Sequence, residues 1–251
     1  MENNPGSGQS GDASMPLTSH LEELRSCLVK CAVVVAVAFV ITFSFAEIIF
    51  FFLTAPLLRL EAEGLSLIGT GLPEAFFVKI KVAFIASLFL SLPIILWQTW
   101  RFVAPGLYDR EKRYARGFVF FGTLFFLLGA GFCYEVIFTV GYGFLLGTYE
   151  TMEVQPAIRI GEYLSFSSKL LLAFGVVFEM PVFAFFLARI GLIDHRFLMR
   201  QFRYAIVVIF CLAAILTPPD IISQVLLALP LTVLYGVSVA VAYVARKRDD
   251  S

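Results

Sequence analysis

Charge is scarce in this chain: Asp, Glu, Lys and Arg make up 15% of its 251 residues, and the 19 basic side chains balance the 19 acidic ones. A soluble globular domain carries nearer a quarter charged residues, which argues against a soluble enzyme. Zero net charge gives no electrostatic footprint for nucleic acid. Two histidines, His20 and His195, and four cysteines without a C-x-x-C pair leave no metal site and no disulfide framework to read. There is no G-x-S-x-G, no H-E-x-x-H, no P-loop and no dinucleotide fingerprint. Gly8-Gln9-Ser10-Gly11 matches a string of intramembrane serine proteases, but it lies in a polar tail and not on a span. The sequence therefore predicts no enzyme and no cofactor.

Apolar residues are abundant: 59% of the chain, with 28 Phe, for a mean hydropathy of +0.87. They are gathered into long runs instead of alternating with polar residues, which excludes disorder and an all-β sandwich. A membrane span needs roughly 20 apolar residues. The runs predict an all-α integral membrane protein with spans at about 28–52, 74–100, 116–146, 162–188, 204–216 and 221–244. They form one membrane domain over 16–245, between a disordered polar tail (1–15) and a basic tail (246–251). Thr217-Pro218-Pro219-Asp220 splits the last apolar stretch into a hairpin, because adjacent prolines cannot continue a helix. At about 1.5 Å per residue, 204–216 rises only about 20 Å, which predicts short fifth and sixth spans and a thinned bilayer around them.

An even number of spans puts both termini on one side. With that side cytoplasmic, Arg59, Lys79, Lys81, Arg159 and Lys169 are the five outer basic residues, and the other 14 of the 19 lie inside. This asymmetry predicts cytoplasmic termini.

Glu179 lies near the middle of its span, where an ionised group costs at least ~2.5 kcal/mol and faces protein or water. Pro181 predicts a kink beside it. Glu47 and Glu135 fall near the outer interface, where snorkelling to headgroups accounts for them. On the basic inner face stand Glu22 and Glu23, and Asp109 and Glu111. Spacing admits either local ion pairs with Arg25, Arg110 or Lys112, or capture of a cationic peptide through bidentate hydrogen bonds to guanidinium groups.

Four segments, His20-Leu-Glu-Glu-Leu-Arg25, Phe102-Val-Ala-Pro-Gly-Leu-Tyr-Asp-Arg-Glu111, Phe174-Gly-Val-Val-Phe-Glu-Met-Pro181 and Leu216-Thr-Pro-Pro-Asp-Ile-Ile-Ser-Gln224, resemble in order and spacing the signature segments of TatC, the receptor subunit of the twin-arginine protein translocase. The resemblance covers roughly Pro16 to Val244. It implies a glove-shaped bundle with a concave face in the bacterial inner membrane. It also implies binding of Ser-Arg-Arg-x-Phe-Leu-Lys-like signal peptides, homo-oligomeric assembly with single-span TatA and TatB partners, and proton-motive-force-driven export of folded proteins. By position, Glu23 and Glu111 look like the carboxylates that receive the twin arginines, with Leu24, Arg25, Phe102, Pro105, Leu107 and Tyr108 shaping that surface. Glu179 looks like the family's embedded carboxylate, and Thr217 and Gln224 resemble a polar cluster where partner helices dock. Pro56 and Asp220 look like members of the outer-face pattern. Ser26 and Cys27 depart from the basic residues that many members place after Arg25. A proton-coupled secondary transporter using Glu179 is the alternative, but it calls for a sequence repeat and paired broken helices, which the chain does not show.

Overall fold

The computed structural model describes residues 17–60, 66–103 and 114–247. These residues are almost all helical. Among them run α1 (Leu17–Ser44), α2 (Ala46–Leu58), α3 (Glu74–Val103), α4 (Tyr114–Phe132), α5 (Phe138–Thr151), α6 (Ile160–Phe178), α7 (Met180–Arg189), α8 (His195–Leu216) and α9 (Ile221–Lys247). Six helical stretches among them are long and apolar enough to cross a membrane. A π-helical turn, Cys133–Ile137, joins α4 to α5 without breaking the rod. The one sheet among the described residues is a parallel pair of three-residue strands, β1 (Ser66–Ile68) and β2 (Ala157–Arg159), with Leu67 opposite Ile158. It ties the two loops at one end of the bundle together.

Local chemistry sets the breaks. At Phe45 the first apolar run turns from α1 into α2, and just before it Thr42 Oγ1 reaches the carbonyls of Ala38 (3.0 Å) and of Ala83 on α3 (2.8 Å). Pro56 sits inside α2 and cannot donate to the carbonyl of Phe52. Tyr134 Oη donates to that carbonyl at 2.8 Å, and Tyr163 Oη donates to the neighbouring Leu53 carbonyl at 2.7 Å. Glu179 separates α6 from α7, with Pro181 in the first turn of α7, so the helix is interrupted at the carboxylate, beside the proline.

The helices are longer than the apolar runs that locate them. The fifth and sixth apolar runs correspond to helices of 22 and 27 residues, not to short helices. Charged side chains do not stop a helix, so α8 continues back through Arg203, Arg200 and Arg196 to His195, and only its uninterrupted apolar part is short.

Helix α1 packs on α3, α3 on α4 and α6, α4 on α6, and α9 joins α7 to α8. Helices α4 and α6 approach closely. A Cβ placed on Gly129 would lie 2.6 Å from the Phe174 carbonyl oxygen, and one on Gly175 would lie 2.7 Å from the Phe126 ring. Small residues let backbones meet where no hydrophobic drive toward association exists in lipid. One buried cluster centres on Leu57, Val82, Phe138, Leu164 and Phe174, and a second is aromatic, with Trp100 4.8 Å from Phe118 and 5.6 Å from Phe186. Helices α1 and α8 contribute little to either. Their apolar faces are largely exposed and suit lipid or partner helices.

Candidate functional site

The end of the bundle formed by the start of α1 and the end of α3 carries the first group of expected site residues. Glu23 is half-buried, and its Oε2 is buried with no hydrogen-bond partner among the described residues. A buried carboxylate oxygen without a donor is costly, so this placement favours a donor brought by a ligand. Arg25, two positions on, is exposed and forms no ion pair with Glu23 among the described residues. Leu24 and Phe102 both line a groove of about 1130 Å³ between α1 and α3, continued by Cys27, Leu28, Cys31 and Gln98. Its walls are apolar apart from Gln98 and Thr99. A carboxylate next in the chain to Leu24, which lines this apolar groove, suits a segment that is cationic at one end and apolar beyond. Pro105, Leu107, Tyr108 and Glu111 lie outside the described residues.

Glu179 is 4% exposed, and neither carboxylate oxygen has a hydrogen-bond partner among the described residues. The side chain faces α4: a Cβ on Gly122 would lie 3.0 Å from Oε2, 3.3 Å from Oε1 and 2.9 Å from Leu96 Cδ1. Gly122 is the residue that makes room for this carboxyl, and nothing in sequence spacing announces it. The structure does not bring Glu179 into hydrogen-bonding contact with Thr217 or Gln224.

Those two residues belong to the α8–α9 hairpin. Thr217 Oγ1 donates to the Ala213 carbonyl (2.8 Å), which also accepts from the Thr217 N–H (2.9 Å), and Gln224 Nε2 donates to the Phe210 carbonyl (3.0 Å), so both side chains fold back onto the last turns of α8. Asp220 caps α9, accepting from the Ser223 N–H at 2.7 Å. Pro56 is buried in α2 beside Thr54.

At the same end as the two strands, the acidic residues near the interface have protein partners instead of relying on headgroups. Lys79 Nζ donates to Glu47 Oε1 at 2.8 Å, and Arg59 lies 3.9 Å from Glu135. Glu74, not singled out in the sequence, accepts from the Thr70, Gly71 and Gly161 N–H groups and so fastens the start of α3 to the start of α6. The signal for it was an acidic residue in the first turn of a helix directly after Gly-Leu-Pro.

Comparison with known proteins bears on the whole of this architecture. A family model for "Sec-independent protein translocase protein (TatC)" matches residues 19–230. The Sec-independent protein translocase protein TatC of Desulforapulum autotrophicum is 44% identical over 237 residues, 94% of this chain and 87% of that protein. That of Campylobacter jejuni is 45% identical over 226 residues, 90% of this chain and 92% of that protein. A crystal structure described as the twin-arginine translocase receptor TatC superposes with a TM-score of 0.82 at 35% identity, covering 90% of this chain and 99% of that one. A transporter built around Glu179 finds no counterpart in these matches. With six apolar helices in the order of that crystal structure and a family match across most of its length, the chain is a multi-pass membrane protein that belongs to the TatC family of Sec-independent protein translocases.

Proposed function

We propose that this chain is the receptor subunit of a twin-arginine translocase in a bacterial inner membrane. In this reading residues 16–245 form a glove-shaped membrane domain, both termini are cytoplasmic, and the chain binds twin-arginine signal peptides at the cytoplasmic face. Glu23 and Glu111 receive the two guanidinium groups, each as a charge-assisted fork. Leu24, Arg25, Phe102, Pro105, Leu107 and Tyr108 shape the surface around them. The observation that carries the proposal is the buried Oε2 of Glu23, without a hydrogen-bond partner among the described residues, next in the chain to Leu24, which lines the apolar groove with Phe102. The groove accommodates the Phe-Leu of a Ser-Arg-Arg-x-Phe-Leu-Lys motif once the arginines are held.

Single-span TatA- and TatB-like helices dock on the same bundle, which works as a homo-oligomer in proton-motive-force-driven export. Thr217 and Gln224 are half-buried and accessible to such a helix. Glu179 is packed against Gly122, so a partner hydrogen bond to its carboxyl requires the α4–α6 seam to open. A bond of this kind contributes about 0.6 to 2 kcal/mol in a membrane, weak enough to form and break in a cycle.

The test uses the purified full chain in detergent and two fluorescent peptides, one with Arg-Arg and one with Lys-Lys. Glu23→Gln and Glu111→Gln each remove a charge-assisted contact and are expected to weaken the Arg-Arg peptide about tenfold or more. The Lys-Lys peptide, which cannot use fork geometry, loses less. Unchanged binding of both peptides in either variant rejects the assignment of that residue.

A further inference from the structure

At the end of the bundle opposite Glu23, a groove of about 500 Å³ lies between α3, α6 and the tip of α8. Lys81, Arg159 and Lys169 line it together with Glu74 and Glu162. The two acids are already occupied. Glu74 is saturated by the backbone N–H groups of Thr70, Gly71 and Gly161, and Glu162 pairs with Arg159 at 3.3 Å. The two lysines have no carboxylate partner among the described residues. Lys81 Nζ donates to Ser165 Oγ at 2.6 Å and keeps two further N–H groups.

Depth makes this arrangement informative. Lys81 stands seven residues into α3 and Lys169 nine residues into α6, about 10 and 14 Å along the helix axes from the ends that carry Glu74 and Ile160. Both lie inside stretches long and apolar enough to span a bilayer. Leu216, the last residue of α8, lines the same groove, so the Pro218-Pro219 turn ends beside these ammonium groups. Cations at such depth are stable when an anion or water is drawn to them. Phe166 and Leu216 supply an apolar wall next to the charges. That pairing of a charged floor with an apolar wall matches a phospholipid, whose phosphate meets the ammonium groups while an acyl chain lies along the wall.

We infer that Lys81 and Lys169 form a binding site for the phosphate of an anionic phospholipid, drawn down to the tip of α8 from the leaflet at this end of the bundle. The site explains how two lysines without a carboxylate partner among the described residues are tolerated within the spans, and it anchors the lipid that borders the α8–α9 hairpin.

The full chain is reconstituted with phosphatidylglycerol, extracted into mild detergent and examined by native mass spectrometry. The parent is expected to retain a phosphatidylglycerol that K169Q and K81Q/K169Q retain about tenfold less, while K169R, which keeps the charge, holds it. Lys169 is exposed, so K169Q leaves packing intact and decides the matter even if the double variant unfolds. Equal retention in parent and K169Q overturns the proposal. Displacement of the lipid by millimolar inorganic phosphate overturns it in favour of a free-anion site. Unchanged lipid retention with loss of binding of a single-span partner overturns it in favour of a protein carboxylate.

Discussion

Placing a methyl group on Gly129 tests the seam that holds α4 to α6. The new Cβ would sit 2.6 Å from the Phe174 carbonyl oxygen and 2.6 Å from Phe178 Cβ, both fixed to the backbone of α6. Comfortable carbon contacts begin near 3.5 Å, so the helices must separate by roughly 1 Å. Separation also loosens the Phe126–Gly175 contact one turn away. Overpacking that no side-chain rotation relieves costs about 3 kcal/mol, and the better helix propensity of Ala offsets up to about 1 kcal/mol, leaving a net loss near 2 kcal/mol. Gly122→Ala meets only the ends of side chains, Leu96 Cδ1 at 2.9 Å and Glu179 Oε2 at 3.0 Å, which can swing away. Its net cost is expected below about 1 kcal/mol. Because the Glu179 carboxyl is one of the two obstacles, Gly122→Ala and Glu179→Ala are expected to couple by about 0.5 to 1 kcal/mol in a double-mutant cycle. Reversible unfolding in mixed micelles measures all four species. A Gly129→Ala protein within about 0.5 kcal/mol of the parent, or less stable Gly122→Ala than Gly129→Ala, refutes the packing argument.

Tyr134→Phe should cost about 1 kcal/mol by leaving the Phe52 carbonyl without a donor, and much less in a Pro56→Ala background, where the restored N–H serves the same carbonyl; equal costs in the two backgrounds, read by the same unfolding assay, would mean that the hydroxyl is not compensating for the proline. Asp220→Ala should lower stability by about 1 kcal/mol through loss of the Ser223 N–H cap, with Asp220→Asn retaining most of it, and hydrogen exchange at the first turn of α9 should rise in the Ala variant alone. Photo-crosslinkers at Gln224 should capture a single-span partner in the resting protein, whereas one at Met180, beside the buried Glu179, should do so only when a signal peptide is bound; early and equal capture at both would show that the α4–α6 seam is already open.

The membrane class, the count of six apolar stretches and the breaks at Pro218-Pro219 and next to Glu179 follow from composition, run length and proline chemistry, which act locally and need no partner helix. The carboxylates Glu23 and Glu179 were visible for the same reason, since a charge among apolar or basic neighbours is anomalous wherever the chain folds. Helix ends were less legible: α8 runs back to His195 because arginines extend a helix as readily as apolar residues, while hydropathy sees only the apolar part. What only tertiary structure decided are relations between residues far apart in the chain. The Tyr134 hydroxyl serves the carbonyl bared by Pro56 and the Tyr163 hydroxyl the one beside it, Gly122 makes room for Glu179, Glu74 joins two helix starts, and Lys81 and Lys169 meet in one groove. A carbonyl without its helical donor, a methyl-sized gap or an unpaired ammonium has no signature in local periodicity, because each depends on which face of which helix packs against it.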